Sequence, residues 1–157
     1  MFGVASRSEL IAAAGPETLV IASTSAVREA YDKEAPEQNH VKQFTPQLSI
    51  PIPRISHLAF SSDEAFLTIC ADEGGGLQTY DVNAIKQGNT NPISQLATNG
   101  IAVRALVPNP APDNGHVVAV VLTDGKLMLA DLKTKDFING KNGPILKEGV
   151  SLSLIHI

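Results

Sequence analysis

The chain has 157 residues, of which 43% are hydrophobic and 18% are charged, and its formal net charge is −4. The charges are spread thinly, without the basic run that a phosphate backbone requires, so direct nucleic-acid binding is not expected. The longest apolar run, residues 117–122, is too short to span a bilayer, and the one cysteine, Cys70, excludes an internal disulfide bond.

The first predicted unit covers about residues 2–50. Short apolar runs between turn residues predict strands at residues 3–5, 10–14, 19–23 and within 41–50. Gly15-Pro16 fits the turn between the second and third strands, because proline presets the backbone angle that a turn needs.

Two interpretations are open for the segment after the third strand. Residues 31–39 are polar and include Pro36, which predicts a surface loop. Val27 and Tyr31 stand at helical spacing, which favours a short helical turn at this place instead.

The second unit covers about residues 51–100 and has the clearest pattern. Strands are predicted at residues 55–60, 66–70, 77–82 and 93–97. Residues 88–92 (GNTNP) have the composition of a loop.

The third unit covers about residues 101–151. Strands are predicted at residues 103–107, 117–122 and 126–132, with a fourth at 145–146. Asp124-Gly125 between two apolar runs is a strong hairpin signal, and residues 109–115 are predicted to form an extended loop.

An internal repeat relates these units. Residues 77–87 (LQTYDVNAIKQ) lie 58 positions after residues 19–29 (LVIASTSAVRE). Residues 127–131 (LMLAD) begin 50 positions after residue 77. Spacings of this size are typical of four-stranded propeller blades, although the chain has no Trp and so lacks the Trp-Asp signature. We predict an all-β, WD40-like β-propeller, present in part as an open ring of about three blades. In an open ring the end blades lack a neighbour, so residues such as 117–122 are expected to be exposed.

Ionisable residues form no recognisable metal-binding or nucleophilic pattern. No pair among His40, His57, His116 and His156 stands at metal-ligand spacing, and one cysteine cannot build a zinc site. His57 is therefore interpreted as a hydrogen-bonded strand residue, and Cys70 as an inert buried thiol.

The remaining polar motifs also have structural interpretations. Residues 74–76 (GGG) lack a following helix and a lysine, so they predict a turn rather than a phosphate-binding loop. Asp63, Asp81 and Asp131 could pair as carboxylates, but their recurrence at equivalent blade positions favours turn capping. Asp72-Glu73 is interpreted as a solvated turn. We predict that the chain is not an enzyme and has no catalytic, cofactor-binding or metal site and no small-molecule ligand.

Three segments resemble a known family: residues 10–24 (LIAAAGPETLVIAST), 53–63 (PRISHLAFSSD) and 145–151 (ILKEGVS). They are similar to the N-terminal β-propeller of the fungal cytoplasmic-filament nucleoporin, and the similarity covers about residues 2–151. The family has seven blades, then Phe-Gly repeats and a coiled coil, so the resemblance implies that three of seven blades are present.

The resemblance also implies a function. The family propeller docks a DEAD-box RNA helicase during messenger RNA export at the cytoplasmic face of the nuclear pore, where other nucleoporins are its partners. Docking in the family relies mainly on loops of later blades, so no docking residue is assigned to this chain. A generic WD40-like adaptor for protein–protein interaction and an enzyme with a propeller fold are the alternatives. Phe-Gly repeats downstream would favour the nucleoporin, and converging ionisable residues at the central channel would favour the enzyme.

The last six residues, 152–157 (LSLIHI), match the in-frame translation of a sequencing-library transposon end, CTG TCT CTT ATA CAC ATC. We expect these residues to be a non-native, adapter-derived tail, and the native protein to continue beyond the propeller part at residues 1–151. A natural apolar strand is the alternative.

Overall fold

A computed structural model describes residues 1–33, 48–71 and 76–138. Within these ranges the chain forms three four-stranded antiparallel sheets, each built from strands consecutive in sequence. The all-β prediction and the three-blade organisation are confirmed.

Blade 1 has the strand order β1-β2-β3-β4. Its elements are β1 (Phe2–Ala5), β2 (Leu10–Ala14), β3 (Thr18–Ser23), helix α1 (Thr24–Lys33) and β4 (Leu48–Pro51). The predicted loop at residues 31–39 is wrong at its start, because α1 continues to Lys33; the rest of that loop lies outside the described residues. Ser23 Oγ accepts a hydrogen bond from the Ala26 amide at 3.0 Å, which pairs one of the free amides of the first helical turn.

Blade 2 repeats this plan. Its elements are β5 (Ile55–Phe60), β6 (Phe66–Ala71), β7 (Leu77–Asp81), helix α2 (Val82–Lys86) and β8 (Ser94–Leu96). The third strand ends one residue earlier than predicted, because the Asp81 carboxylate caps α2 and accepts from the amides of Asn83 and Ala84. The repeated sequence tails thus coincide with the two helices, since α1 and α2 begin 58 residues apart.

Blade 3 contains the predicted hairpin. Its elements are β9 (Val103–Pro108), a 3-10 turn (Pro112–Asn114), β10 (Val117–Leu122), β11 (Leu127–Asp131) and β12 (Asp136–Phe137). Gly125 adopts φ 89° in the β10–β11 turn, a conformation that glycine adopts without strain. The fourth strand of this sheet is β12, which pairs with β11. The predicted strand at residues 145–146 lies outside the described residues.

The three sheets are arranged side by side through their first strands. β5 contacts β1 on one side and β9 on the other. Each sheet extends outward from this inner strand to its fourth strand, which is the arrangement of neighbouring propeller blades.

Blades 1 and 2 enclose the larger of the two apolar cores. Both sheets contribute side chains that are almost fully buried. The core residues are Ala5, Leu10, Ala12, Leu19, Ile21, Ile50, Ile52, Phe60, Leu67, Ile69, Tyr80, Val82 and Ile85.

Blades 2 and 3 enclose a second core, formed by Cys70, Leu77, Val103, Val118, Val120, Leu122, Ala130 and Leu132. The expectation that residues 117–122 are exposed is wrong. β10 lies between β9 and β11 in its sheet. Its residues alternate between this core and a cluster with Leu127 on the other face. The exposed apolar side chains lie mainly on blade 1, where Phe2 is 68% and Val4 is 50% accessible.

Candidate interaction surface

One end of the blade stack carries the features most suited to recognition, and we call it the helix face. It consists of the β1–β2 turn (residues 6–9), the β5–β6 turn (61–65), helices α1 and α2, the β9–β10 loop (109–116) and the turn after β11 (132–135). Loops at the end of a rigid sheet scaffold are common binding positions, because the sheets hold them in place.

Glu64 joins blade 1 to blade 2 at this face. Its Oε1 accepts from the Ser8 amide at 2.8 Å, and its Oε2 accepts from Arg7 Nε at 3.1 Å and from the Arg7 amide at 3.3 Å. Arg7 Nη2 also donates to the Ser62 carbonyl oxygen at 2.8 Å. The two turns are thereby locked together by bonds between residues more than 50 positions apart.

The Glu64 carboxyl group is held in its charged form. Partial burial acts to raise its pKa, but the hydrogen bonds from the Ser8 amide and from Arg7, together with the Arg7 charge, act in the opposite direction, and the net pKa is lowered. Its side chain is 13% accessible, so water screens the interaction only in part. No local sequence pattern indicates a role for Glu64, because its partners are distant along the chain.

Gly115 joins blade 3 to the same β5–β6 turn. A Cβ atom at this position would lie 2.8 Å from the Asp63 amide nitrogen and 2.8 Å from Ser62 Oγ. Two rigid backbone segments therefore meet where only a glycine fits. The β5–β6 turn is thus held by blade 1 on one side and by blade 3 on the other.

The three predicted turn aspartates all cap turns. Asp63 Oδ1 accepts from Ser61 Oγ and from the Ala65 amide, Asp81 caps α2, and Asp131 Oδ1 accepts from the Lys133 and Thr134 amides. Asp81 and Asp131 occupy matching positions at the ends of β7 and β11. Asp63 lies in the β5–β6 turn instead. The prediction that all three aspartates occupy equivalent blade positions is therefore wrong for Asp63.

The histidine and cysteine side chains that the structure describes lie in structural environments. His57 Nδ1 lies 3.0 Å from Ser56 Oγ, and His116 Nε2 lies 3.8 Å from Asp131 Oδ2. Burial raises the pKa of the Cys70 thiol to about 12, which makes a reactive thiolate unfavourable. Burial also raises the pKa of Tyr80. His40, His156 and residues 72–75 lie outside the described ranges.

Two further findings hold for residues 1–33, 48–71 and 76–138. No group of three or more His, Cys, Asp or Glu side chains is placed to hold a metal ion. No helix there is long and apolar enough to cross a membrane.

A cavity of about 280 Å³ lies where blades 1 and 2 meet α2. Its lining residues are Leu10, Ile21, Leu48, Ile85, Lys86 and Gly88. Small-molecule pockets usually measure about 300–1,000 Å³ and present several converging polar groups, which this lining does not supply.

The helix face carries charges of both signs. Among the side chains that the structure describes there, the exposed charged ones are Arg7, Glu9, Arg28, Glu29, Lys86, Asp113, Lys133 and Lys135. Such a mixed surface does not present one strong field, so it does not favour long-range steering of a charged partner.

A family model described as the NUP159/214 beta propeller matches residues 1–155. The nucleoporin NUP159 of Chaetomium thermophilum is 44% identical over 152 residues, which are 96% of this chain. The chain spans only 10% of the length of that relative.

Solved structures have the same fold. The N-terminal domain of Nup159 matches with TM-score 0.59 at 15% identity, over 87% of this chain and 32% of the solved chain. A chain in the S. cerevisiae complex of Dbp5 with Nup159, Gle1, IP6 and ADP matches with TM-score 0.60 at 15% identity, over the same shares of the two chains. The C-terminal WD40 domain of Sif2 matches with TM-score 0.55 at 16% identity, over 85% of this chain and 31% of the solved one.

The solved structures show only that the fold is shared, since their sequence identities are low. The family match over nearly the whole chain and the 44% identity to NUP159 show membership of the family. With three blades in consecutive order, joined through the β5–β6 turn, the chain belongs to the NUP159/214 β-propeller family.

Proposed function

We propose that this chain is the first part of a nucleoporin propeller that docks a DEAD-box RNA helicase at the cytoplasmic face of the nuclear pore during messenger RNA export. Its role is to bind proteins, without catalysis and without direct contact to nucleic acid, membrane or small molecules. The observation that carries the proposal is the 44% identity to NUP159 over 96% of the chain.

Two structural neighbours support the proposed partners. Nup159 is found in a complex with Dbp5 and Gle1, which supports a helicase as partner. The Chaetomium thermophilum Nup82 NTD–Nup159 TAIL–Nup145N APD complex contains a chain of similar fold, with TM-score 0.51 at 18% identity, over 82% of this chain and 26% of the solved one. That assembly supports other nucleoporins as neighbours of the full protein.

We propose that the docking surface lies mainly outside residues 1–151. The mixed charges of the helix face support this division, because helicase docking by electrostatic steering requires a complementary patch of one sign. In this proposal blades 1–3 supply the scaffold on which the later blades close the ring, and residues 152–157 are a non-native tail.

A pulldown tests the proposal. The helicase is offered the present chain and a completed propeller, in which residues 1–151 are joined to the remaining blades of the same protein. We expect strong capture by the completed propeller and weak capture by the chain alone. Equal capture by both would place the docking surface within residues 1–151, and capture by neither would remove the helicase as partner.

A charge-reversal variant tests whether blade 3 takes part in docking. Lys133→Glu combined with Lys135→Glu reverses two exposed charges on the helix face of blade 3. The completed propeller with this double substitution should bind the helicase as the unsubstituted one does. A large loss of binding would assign docking to blade 3.

A further inference from the structure

A row of hydroxyl side chains crosses blade 2 from strand to strand. Thr68 on β6 stands directly opposite Thr79 on β7, and Thr79 stands directly opposite Ser94 on β8. Thr68 and Thr79 are 0% accessible, and the Ser94 Oγ atom is also buried. None of the three hydroxyls has a hydrogen-bond partner within the part of the chain that the structure describes.

The row lies within an apolar interface. Residues alternate between the two faces of a strand, so Thr68 shares its face with Phe66 and Cys70, and Thr79 shares its face with Leu77. Phe66, Cys70 and Leu77 all pack in the core between blades 2 and 3. The hydroxyl row therefore faces blade 3.

Matching rows in the other blades are apolar. In blade 1 the corresponding residues are Ala12, Ile21 and Leu48, which face blade 2. In blade 3 they are Ala119, Leu129 and Ile138. The polar row is thus a property of blade 2 and is not required by the strand geometry that the three blades share.

Leaving these groups unpaired would be costly. A buried hydroxyl without a partner destabilises a fold by about 1–3 kcal/mol, and three such groups stand side by side. Directly opposite side chains have Cβ atoms about 4.5–5.5 Å apart, and no direct hydrogen bond joins the neighbouring hydroxyls among the described residues. Hydroxyl oxygens that project in parallel keep about the Cβ spacing, which two O–H···O bonds of about 2.7–2.8 Å can span. One water molecule between two neighbouring hydroxyls therefore fits the spacing of the row.

We propose that the Thr68–Thr79–Ser94 row is an internal water-binding site between blades 2 and 3. One water bridges Thr68 and Thr79, and a second bridges Thr79 and Ser94. Each hydroxyl can donate one hydrogen bond and accept two, so each has the capacity for its bridges. Ser94 lies on the outermost strand of the sheet, so the row ends at the rim of blade 2.

Thr79→Val in the 157-residue chain tests the site, because valine keeps the shape of threonine and removes the hydroxyl at the centre of the row. The matched control is Thr98→Val. Thr98 is also buried, and its hydroxyl already donates to the Ile101 carbonyl oxygen at 2.6 Å. We expect both variants to lower the melting temperature by about 3–5 °C. If Thr79→Val melts at or above the temperature of the unsubstituted chain, the hydroxyl has no bound partner and the proposal is overturned.

Two more measurements separate bound water from a direct Thr68–Thr79 hydrogen bond. Ser94→Ala should also lower the melting temperature, since it removes one bridge; a direct threonine pair predicts no change. A high-resolution crystal structure should show water within hydrogen-bond distance of Thr79 Oγ1 and of a second hydroxyl of the row. A dry row would overturn the proposal even if every variant is destabilised.

Discussion

The interface between blades 1 and 2 and the interface between blades 2 and 3 use the same strand geometry but different contacts. The first combines the larger apolar core with the Arg7–Glu64 ion pair. The second has a smaller core, the close approach at Gly115 and the hydroxyl row. The propeller plan therefore fixes where the strands lie, while each pair of neighbouring blades is held together by its own side chains.

Removing core volume should have the largest effect. Leu67 is 0% accessible in the core between blades 1 and 2, so Leu67→Ala should lower the free energy of unfolding by about 3 kcal/mol. Urea unfolding checks this. Leu58→Ala is the matched control, because Leu58 is only partly buried against the same core and should cost less. Equal losses would mean that the core is not the main source of stability at this interface.

The glycine contacts offer a direct comparison of the two interfaces. Gly115→Ala should destabilise by about 2 kcal/mol, since its Cβ would meet the Asp63 backbone at 2.8 Å. Gly3→Ala should cost much less, because its Cβ would meet the movable end of Leu58 at 3.0 Å. Thermal unfolding of both variants shows which one is destabilised more. A larger loss of stability for Gly3→Ala than for Gly115→Ala would contradict the prediction.

Glu64 should make the interface between blades 1 and 2 sensitive to acid. Its pKa is lowered in the folded chain, so its contribution is present above the unfolded pKa of about 4.3 and is lost as the pH falls through the folded pKa. Glu64→Gln should lower the free energy of unfolding at neutral pH by about 1 kcal/mol and flatten its decline in acid. Urea unfolding at several pH values measures both. Glu17→Gln, at an exposed position in the β2–β3 turn, should change neither.

The smallest effect is expected for the exposed partner of Glu64. The Arg7 side chain is 68% accessible, so Arg7→Ala should cost about 0.5 kcal/mol, and less at high salt. Lys126→Ala is the control, because it removes an ion pair with Asp124 inside one hairpin turn and leaves both interfaces intact. A salt-independent loss for Arg7→Ala would assign its effect to packing.

Local features of the fold could be predicted from the sequence. The Asp124-Gly125 hairpin, the strands at residues 55–60 and 117–122, and the 58-residue repeat depend on neighbouring residues and on spacing. The sequence predicts helix α1 only as an alternative to a loop, because the polar residues that follow it have the composition of a loop. The two-residue strand β12 is too short to leave an apolar pattern.

Contacts between blades could not be predicted in this way. Nothing near Glu64 in the sequence indicates Arg7, and nothing near Gly115 indicates Ser62, because each pair meets only after two sheets have formed. The hydroxyl row is similar, since Thr68, Thr79 and Ser94 are brought into line by strand register alone.

The bond between Arg7 and Glu64 also has a consequence for the order of events during synthesis. The two residues are 57 positions apart, which corresponds to roughly 3–11 s at a translation rate of about 5–20 residues per second. During that interval the face of blade 1 that carries Leu10 and Ile21 has no second sheet to cover it. The exposure outlasts that interval, because Leu67 and Ile69 on β6 and Tyr80 on β7 cover this face and follow Glu64 in the chain. The nascent chain is therefore exposed to aggregation and to chaperones until these strands of blade 2 have emerged from the ribosome.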